Sequence, residues 1–497
     1  MACGNQIAPK LEVLVVGSGL AAYGACLALL KDKSIAVTVI DIGLRRPYQE
    51  QPNESVPNSV QFNGTYFPYG INDKRWPVNL DSKRMCSSHA LGGYSKVYSG
   101  SILKPKDIDM TCWPAQSKPR IQDYNDVLSS LRIWEVKDNL NEAFPCFPMT
   151  VDPVVSNRTY VGAPRLALNK TRKINTPFDS SYDFHKWNEE GAISYLSGHY
   201  VVELTQVGKK IDISTISDGE FRILRYDQVY LGAGCINTTA IVDRSIYGDG
   251  TRTYTIKSAK ILLQLYLQLP IIFKPGSSMA QYSKILNPDL CKVFVEHRSS
   301  STNGLWSHTQ INGFNRTILM TLRQKLPPIV QKIVQLAKNI LRFSITVFHS
   351  DLGIPSALIS TIKNSESREK LQIIHVLEPD DFCKLSLVHT ISCAILKKFF
   401  LLGMFPLPFG QLMAGVIRGN HLGGWHYGGT LPMMENPSDA AHLKPNGELH
   451  GIKGVYVIDA SGFPSIPGST VALLTMANAY RIAKNSLIDI PPSELCE

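Results

Sequence analysis

The apolar residues of this chain change period as it runs. LEVLVV, residues 11–16, is a short β-rich run, apolar apart from Glu12, that stops at Gly17-Ser18-Gly19. LAAYGACLALL (20–30) then stays apolar over the length of a helix, and a second β-branched run, IAVTVID (35–41), ends in Asp41. That succession predicts a strand, a glycine turn, a helix and a second strand, one βαβ unit. Between 199 and 235 the runs shorten and alternate. HYVVEL, KKIDIST, FRILRY and QVYLGAG are separated by GKK and SDGE turn signals, which predicts a small antiparallel meander returning to a buried strand. LKPNGELHG (443–451) predicts a tight hairpin at Asn446-Gly447, VYVIDAS (455–461) another buried strand, and VALLTMANAYRIA (471–483) a closing helix.

Elsewhere the period is weaker. Residues 46–80 are rich in Pro, Asn, Gln and aromatics and read as a long surface excursion; DSSYDFHKWN (179–188) reads as irregular too. PPIVQKIVQLAKNILR (327–342) sets Ile329, Val330, Ile333, Val334, Ala337, Ile340 and Leu341 on one helical face, with Lys332 and Lys338 among its polar positions. FFLLGMFPLPFGQLMAGVI (399–417) is long enough to span a membrane but is interrupted by Pro406 and Pro408. Soluble proteins use such faces mostly as core or pocket wall, so that reading is favoured over membrane contact. The run 11–30 has the hydropathy of a signal peptide or a span. Its central glycine break, and the lack of a basic segment before it, favour strand, turn and helix.

With 497 residues, 44% of them hydrophobic and 19% charged, the chain has room for two or three domains with sizeable cores, which excludes a disordered or fibrous protein. The 51 Lys+Arg against 41 Asp+Glu give a net +10, a bias that suits a phosphate-bearing partner. No run of five basic residues occurs, so no nucleic-acid partner is expected. The ten cysteines form neither a Cys-x-x-Cys pair nor a Cys/His array at zinc spacing. No metal is expected, and a reduced, cytoplasmic setting fits.

Four segments carry candidate chemistry. Gly17-x-Gly19-x-x-Ala22 follows a predicted strand and opens a helix, and Asp41 ends the next strand. Gly17 permits the tight turn, Gly19 lets a pyrophosphate approach the helix N-terminus, Ala22 lets helix and strand pack closely, and Asp41 suits a ribose. In LGGYSKVYSGSILKPKDIDMTCW (91–113), Gly92, Gly93 and Ser95 make a small-residue loop, whose composition alone suggests surface. YLGAGCINTTAIVDRS (230–245) runs a strand through Ala233 and Gly234 into a helix, a tight turn or a second nucleotide contact. GGWHYGGTLPM (423–433) sets His426 between glycine pairs, and VYVIDASGFPSIPGST (455–470) puts Asp459 and Ala460 at a strand end. A histidine titrates near neutrality and serves as a base.

Together and in this order, these pieces resemble the glucose/methanol/choline (GMC) family of FAD-dependent oxidoreductases, in particular the shorter bacterial members with a GG-x-S-x-V-W-G loop. The resemblance implies an α/β fold: a Rossmann-type FAD-binding domain assembled from discontinuous segments (1–45, 81–115, 190–245 and 420–497) and a mixed α+β substrate domain (116–189 and 246–419). By the family pattern, Gly17, Gly19 and Asp41 hold the ADP part of FAD, and Gly93 and Ser95 lie along the loop over the pyrophosphate and flavin. Val201 meets the adenine, Ala233 and Gly234 line the nucleotide, and Asp459 and Ala460 approach the pyrophosphate and flavin ring. His426 matches the family's active-site histidine.

The chain departs from the family in two places. Tyr98 stands where tryptophan is common. The family also has a second histidine or an asparagine before the terminal helix, where this chain has Ser469 and Thr470. A hydroxyl can bind a substrate alcohol but is a poor base. The resemblance therefore implies oxidation of a CH–OH group of a small-molecule substrate, such as a sugar or a secondary metabolite, with His426 as base. The alternatives are a biosynthetic flavoenzyme performing desaturation, isomerisation or oxidative cyclisation, and a degenerate flavin-binding protein.

Overall fold

The computed structural model describes residues 11–45, 60–62, 65–67, 78–81, 87–98, 100–131, 158–162, 166–167, 177–248, 252–258, 260–268, 291–298, 306–313, 328–329, 332, 336, 341–348, 357–363, 369–375, 404–406 and 426–487. At its centre is a parallel sheet of β1 (Leu11–Val16), β2 (Ile35–Asp41), β7 (Ser194–Ser197), β11 (Gln228–Leu231) and β21 (Val455–Val457), in the order β21-β11-β1-β2-β7. The apolar stretches Val13–Val16 of β1 and Val229–Leu231 of β11 are what a parallel strand covered on both faces requires, and all of them are buried.

Helix α1 (Leu20–Leu29) returns the chain from β1 to β2 and packs against the closing helix, α5 (Ala472–Ser486). Both are buried on most sides, so α1 is apolar nearly all round rather than amphipathic. Two further helices join this layer. In α2 (Ile121–Ser130), Asp126 accepts a 2.6 Å bond from the Tyr480 hydroxyl of α5. In α3 (Ser181–Glu189), Trp187 stacks on Tyr23 of α1 at 5.4 Å. Residues 179–188 are thus largely helical, not irregular: the aromatic residues that obscured the period, Phe184 and Trp187, face the α1 core. Helix α4 (Cys235–Tyr247) follows β11.

The meander forms as the turn signals predict, with β8 (His199–Val207), β9 (Lys210–Ser217) and β10 (Glu220–Tyr226) in the order β10-β9-β8. Asn446-Gly447 makes its tight turn, with the Gly447 amide donating to the Lys444 carbonyl at 2.9 Å.

Two largely antiparallel sheets stand apart from the parallel one. The first has the order β20-β12-β17-β18-β5: β5 (Val78–Asp81), β12 (Thr253–Ser258), β17 (Ala357–Lys363), β18 (Glu369–His375) and β20 (Tyr427–Gly428). The second has the order β19-β13-β16-β15-β14-β6: β6 (Arg158–Gly162), β13 (Lys260–Gln268), β14 (Cys291–Arg298), β15 (Trp306–Gly313), β16 (Leu341–Phe348) and β19 (Met404–Pro406). The described parts of 46–80 are strands: β5 pairs with β18, while β3 (Val60–Phe62) and β4 (Thr65–Phe67) pair with each other.

The amphipathic reading of 327–342 meets two differences. Leu341 opens β16, because that strand pairs with β13 on one side and β15 on the other; Ile329, expected on the packed face, is 72% exposed. Most of 327–342 and 399–417, and the Gly423-Gly424-Trp425 end of the glycine-rich stretch, lie outside the described residues. Among the described residues no helix is long and apolar enough to cross a membrane.

Candidate active site

A cavity of about 430 Å³ lies at the carboxyl ends of the parallel strands, where open α/β sheets bind ligands. Of the residues singled out in the sequence, Gly17, Gly19, Asp41, Gly93, Ser95, Val201, Ala233, Gly234, His426, Asp459, Ala460 and Thr470 line it. Ala22, Gly92 and Ser469 do not. Ala22 is fully buried within α1, Gly92 sits behind the loop at φ +87, and Ser469 is fully buried with its hydroxyl 3.5 Å from the Thr470 carbonyl.

The two glycines of the first turn differ in kind. Gly17 has φ +99, and a Cβ there would sit 2.5 Å from the Gly232 carbonyl oxygen, so the turns after β1 and β11 meet backbone to backbone. Gly19 has an ordinary φ of −74, and nothing lies within 4 Å of where its Cβ would be. Open space at the first residue of a helix, facing a cavity, is the cradle a pyrophosphate needs.

Ser18, between them, was not singled out, yet its hydroxyl accepts from the Gly92 amide at 2.8 Å and donates to Asp41 Oδ2. One side chain thus couples the first turn, the acid ending β2 and the 91–98 loop. Burial pushes the Asp41 carboxyl up to about 6, against the lowering effect of Ser18 and the Gly43 and Ile42 amides.

The Gly92-Gly93 loop is pinned rather than loose. The Ser95 hydroxyl donates to the Gly92 carbonyl at 2.6 Å and lies 3.0 Å from the Ser180 hydroxyl, which donates to the Ser18 carbonyl at 2.9 Å. Lys96 reaches Asp179 and Ser181, each at 2.7 Å. The start of α3 therefore clamps this loop, a long-range contact with no local sequence signal.

Asp459 holds structure at the second turn. Its carboxylate accepts from the Gly234 amide (2.9 Å), the Thr238 hydroxyl (2.5 Å), and the Ser461 amide (2.9 Å) and hydroxyl. Burial raises its pKa despite those donors. Gly234 opens α4, again with nothing within 4 Å of a would-be Cβ, so the 233–234 backbone is exposed to the cavity. Asp109 and Trp113 act further off: Trp113 donates to the Ser465 hydroxyl at 2.9 Å, and Asp109 accepts from the Gly468 amide at 3.2 Å. They anchor the segment carrying Ser469 and Thr470.

His426 also lines the cavity. Its Nδ1 is buried and has no hydrogen-bond partner among the described residues, and burial pushes its pKa down to about 4, so the imidazole is neutral near pH 7. Gly428 lets this segment lie directly on the Ala460 backbone, which a Cβ would overlap. Tyr427 and Tyr94 meet hydroxyl to hydroxyl at 3.1 Å and both line the cavity, as does Gln310 of β15. Thr470 donates to the Ser101 carbonyl at 3.2 Å. Tyr94 and Tyr427 lie beside the motif residues Gly93 and His426 without a signal of their own, and Gln310 lies in no motif.

Glycine-lined space at the starts of α1 and α4, an acid at the end of β2 and a neutral imidazole share one cavity lining, and a dinucleotide such as FAD fits that donor set.

Residues 409–479 match the C-terminal family model of the GMC oxidoreductases. The whole fold is similar to three solved structures. Pyridoxine 4-oxidase from Mesorbium loti is 13% identical with a TM-score of 0.58, over 97% of this chain and 100% of that one. An FAD-dependent oxidoreductase from Chaetomium thermophilum is 14% identical with a TM-score of 0.55, over 95% and 98%. A fungal aryl-alcohol oxidase is 14% identical with a TM-score of 0.53, over 97% and 100%. At these identities the likeness is one of fold. No curated protein matches the chain.

Proposed function

We propose that this chain is an FAD-dependent oxidoreductase of the GMC type acting on CH–OH groups, a reading supported by the family match at 409–479 and the shared fold, and that His426 is the base that takes the substrate's hydroxyl proton. The observation that carries this reading is the His426 imidazole itself: on the cavity wall, neutral, with Nδ1 buried and unpartnered among the described residues. A neutral imidazole beside a carbinol accepts the hydroxyl proton as negative charge develops on the oxygen. FAD, when bound, supplies the acceptor for the carbinol hydride at N5, chemistry that no side chain provides.

The residues divide the work by position. Gly17, Gly19 and Asp41 would hold the ADP part, with Ser18 fixing Asp41; Val201 would face the adenine. Gly93 with the clamped loop, and Ala233, Gly234 and Ala460, would line the pyrophosphate and ring. Asp459 shapes the second turn rather than offering a vacant carboxylate. The substrate is a small or medium carbinol such as a sugar or a secondary metabolite; the names of the similar structures add pyridoxine and aryl alcohols to the compounds worth testing.

The test is the visible spectrum of the purified protein, followed by anaerobic bleaching with glucose, pyridoxine, benzyl alcohol and other carbinols. A protein that is colourless and takes up no FAD refutes the reading. His426→Ala should keep its flavin while reduction slows about 10²-fold or more; an unchanged rate would remove His426 from the role. Thr470 bonded to Ser101, with no imidazole or amide at 469–470, favours a second reading: a biosynthetic flavoenzyme catalysing desaturation, isomerisation or cyclisation. Bound flavin that no alcohol reduces would support it.

A further inference from the structure

The second polar group of the site comes from a strand that no motif marked. β15 lies between β14 and β16 in the six-stranded sheet, and its two-residue period puts His308 and Gln310 on the same face. Both are buried, at 0% and 5% exposure, and Gln310 Nε2 lies 3.3 Å from His308 Nε2. Gln310 reaches the cavity lining that also includes His426 and Tyr427. His308 is held neutral, its pKa pushed down to about 3 by burial first and then by His426 and Lys106, so it lies within electrostatic range of His426. A buried amide and imidazole are costly in a sheet interior unless each is satisfied. Of the two, Gln310 is the one that reaches the cavity wall.

Building on the proposed function, we propose that Gln310 is the second hydrogen-bonding group for the substrate oxygen, with His308 as the positioning residue that fixes its amide. A neutral His308 accepts at Nε2 from one amide N–H of Gln310, which places the imidazole's own proton on Nδ1. The bond orients the carboxamide, whose other N–H can donate to the substrate oxygen as its proton passes to His426. A donor aimed at developing negative charge is the group the hydroxyls at 469–470 cannot replace, since Thr470 is bonded to Ser101. Glutamine does not titrate, so it adds a donor beside His426 without adding a second base.

The test uses the flavin-loaded protein and the carbinol that reduces the wild type fastest, starting with benzyl alcohol and pyridoxine. Gln310→Leu should slow flavin reduction about 10- to 100-fold with flavin content unchanged; His308→Gln, which retains a buried polar group, should slow it less. Independently of turnover, the ¹⁵N-histidine spectrum should show His308 protonated on Nδ1 and bare on Nε2, a state lost in Gln310→Leu. Reduction of Gln310→Leu at the wild-type rate, or a wild-type His308 protonated on Nε2, overturns the proposal. A wild type that no carbinol reduces overturns the proposed function and this inference with it.

Discussion

The two glycines of the first turn should separate folding from cofactor binding. Alanine at Gly17 must adopt φ +99 and puts a Cβ 2.5 Å from the Gly232 oxygen and 3.0 Å from its carbon, both backbone atoms that cannot swing aside. A non-glycine residue at such a φ costs about 1–3 kcal/mol, and forcing the β11 turn away adds about 1–3 kcal/mol more. Alanine at Gly19 meets no strain at φ −74 and nothing within 4 Å; exchanging glycine for alanine at a helix cap costs about 1 kcal/mol at most. In the flavin-free protein, urea unfolding should therefore place Gly17→Ala about 3 kcal/mol below wild type and Gly19→Ala within about 1 kcal/mol of it. FAD binding, followed by quenching of flavin fluorescence, should reverse the emphasis: the methyl at Gly19 fills the cradle and raises Kd at least about tenfold, or 1.4 kcal/mol. Wild-type FAD affinity in Gly19→Ala would refute the cradle, and an undiminished stability in Gly17→Ala would refute the steric argument.

Acid should expose the buried histidines. Burial pushes His308 down to about 3 and His426 down to about 4 in the folded chain, below the ordinary histidine value of 6.5, so the unfolded chain binds protons that the folded one does not, and stability falls as pH drops below 6.5. Asp41, raised from 3.8 to about 6, works in the opposite direction between those values. Relative to pH 7, His308 alone removes about 2 kcal/mol at pH 5; His308→Gln should shrink the wild-type loss between pH 7 and 5 by that amount in urea titrations, and parallel curves would contradict it. Asp459→Asn should lower stability by about 2–4 kcal/mol, because an amide cannot accept from all four donors around it. It should also lose FAD as the Gly234 turn relaxes, whereas a variant with normal thermal unfolding and flavin content would show that the donors find other partners.

Much of the site could be read locally. A β-branched run, a Gly-x-Gly turn and an apolar helix are choices that backbone sterics make within a few residues, so β1, α1, β2 and the acid at position 41 were visible before any contact was known. The closing helix, the meander and the Asn446-Gly447 turn were legible for the same reason. Irregular, aromatic-rich segments were not: 179–188 became a helix because Trp187 and Phe184 found the α1 core, and the Leu341 end of a helical pattern became strand because two neighbours paired with it.

The sequence by itself determined the turns, the periods and the identity of the candidate base, since each depends on dihedral preference or on one side chain's chemistry. Only the tertiary structure decided the company that base keeps. Ser18, Ser180 and Tyr94 gain their places because segments far apart in the chain are packed to within hydrogen-bond reach, and Gln310 because the sheet carries β15 to the cavity wall. Such bonds are directional and short, and a one-dimensional pattern carries no record of which distant residue will supply the other half.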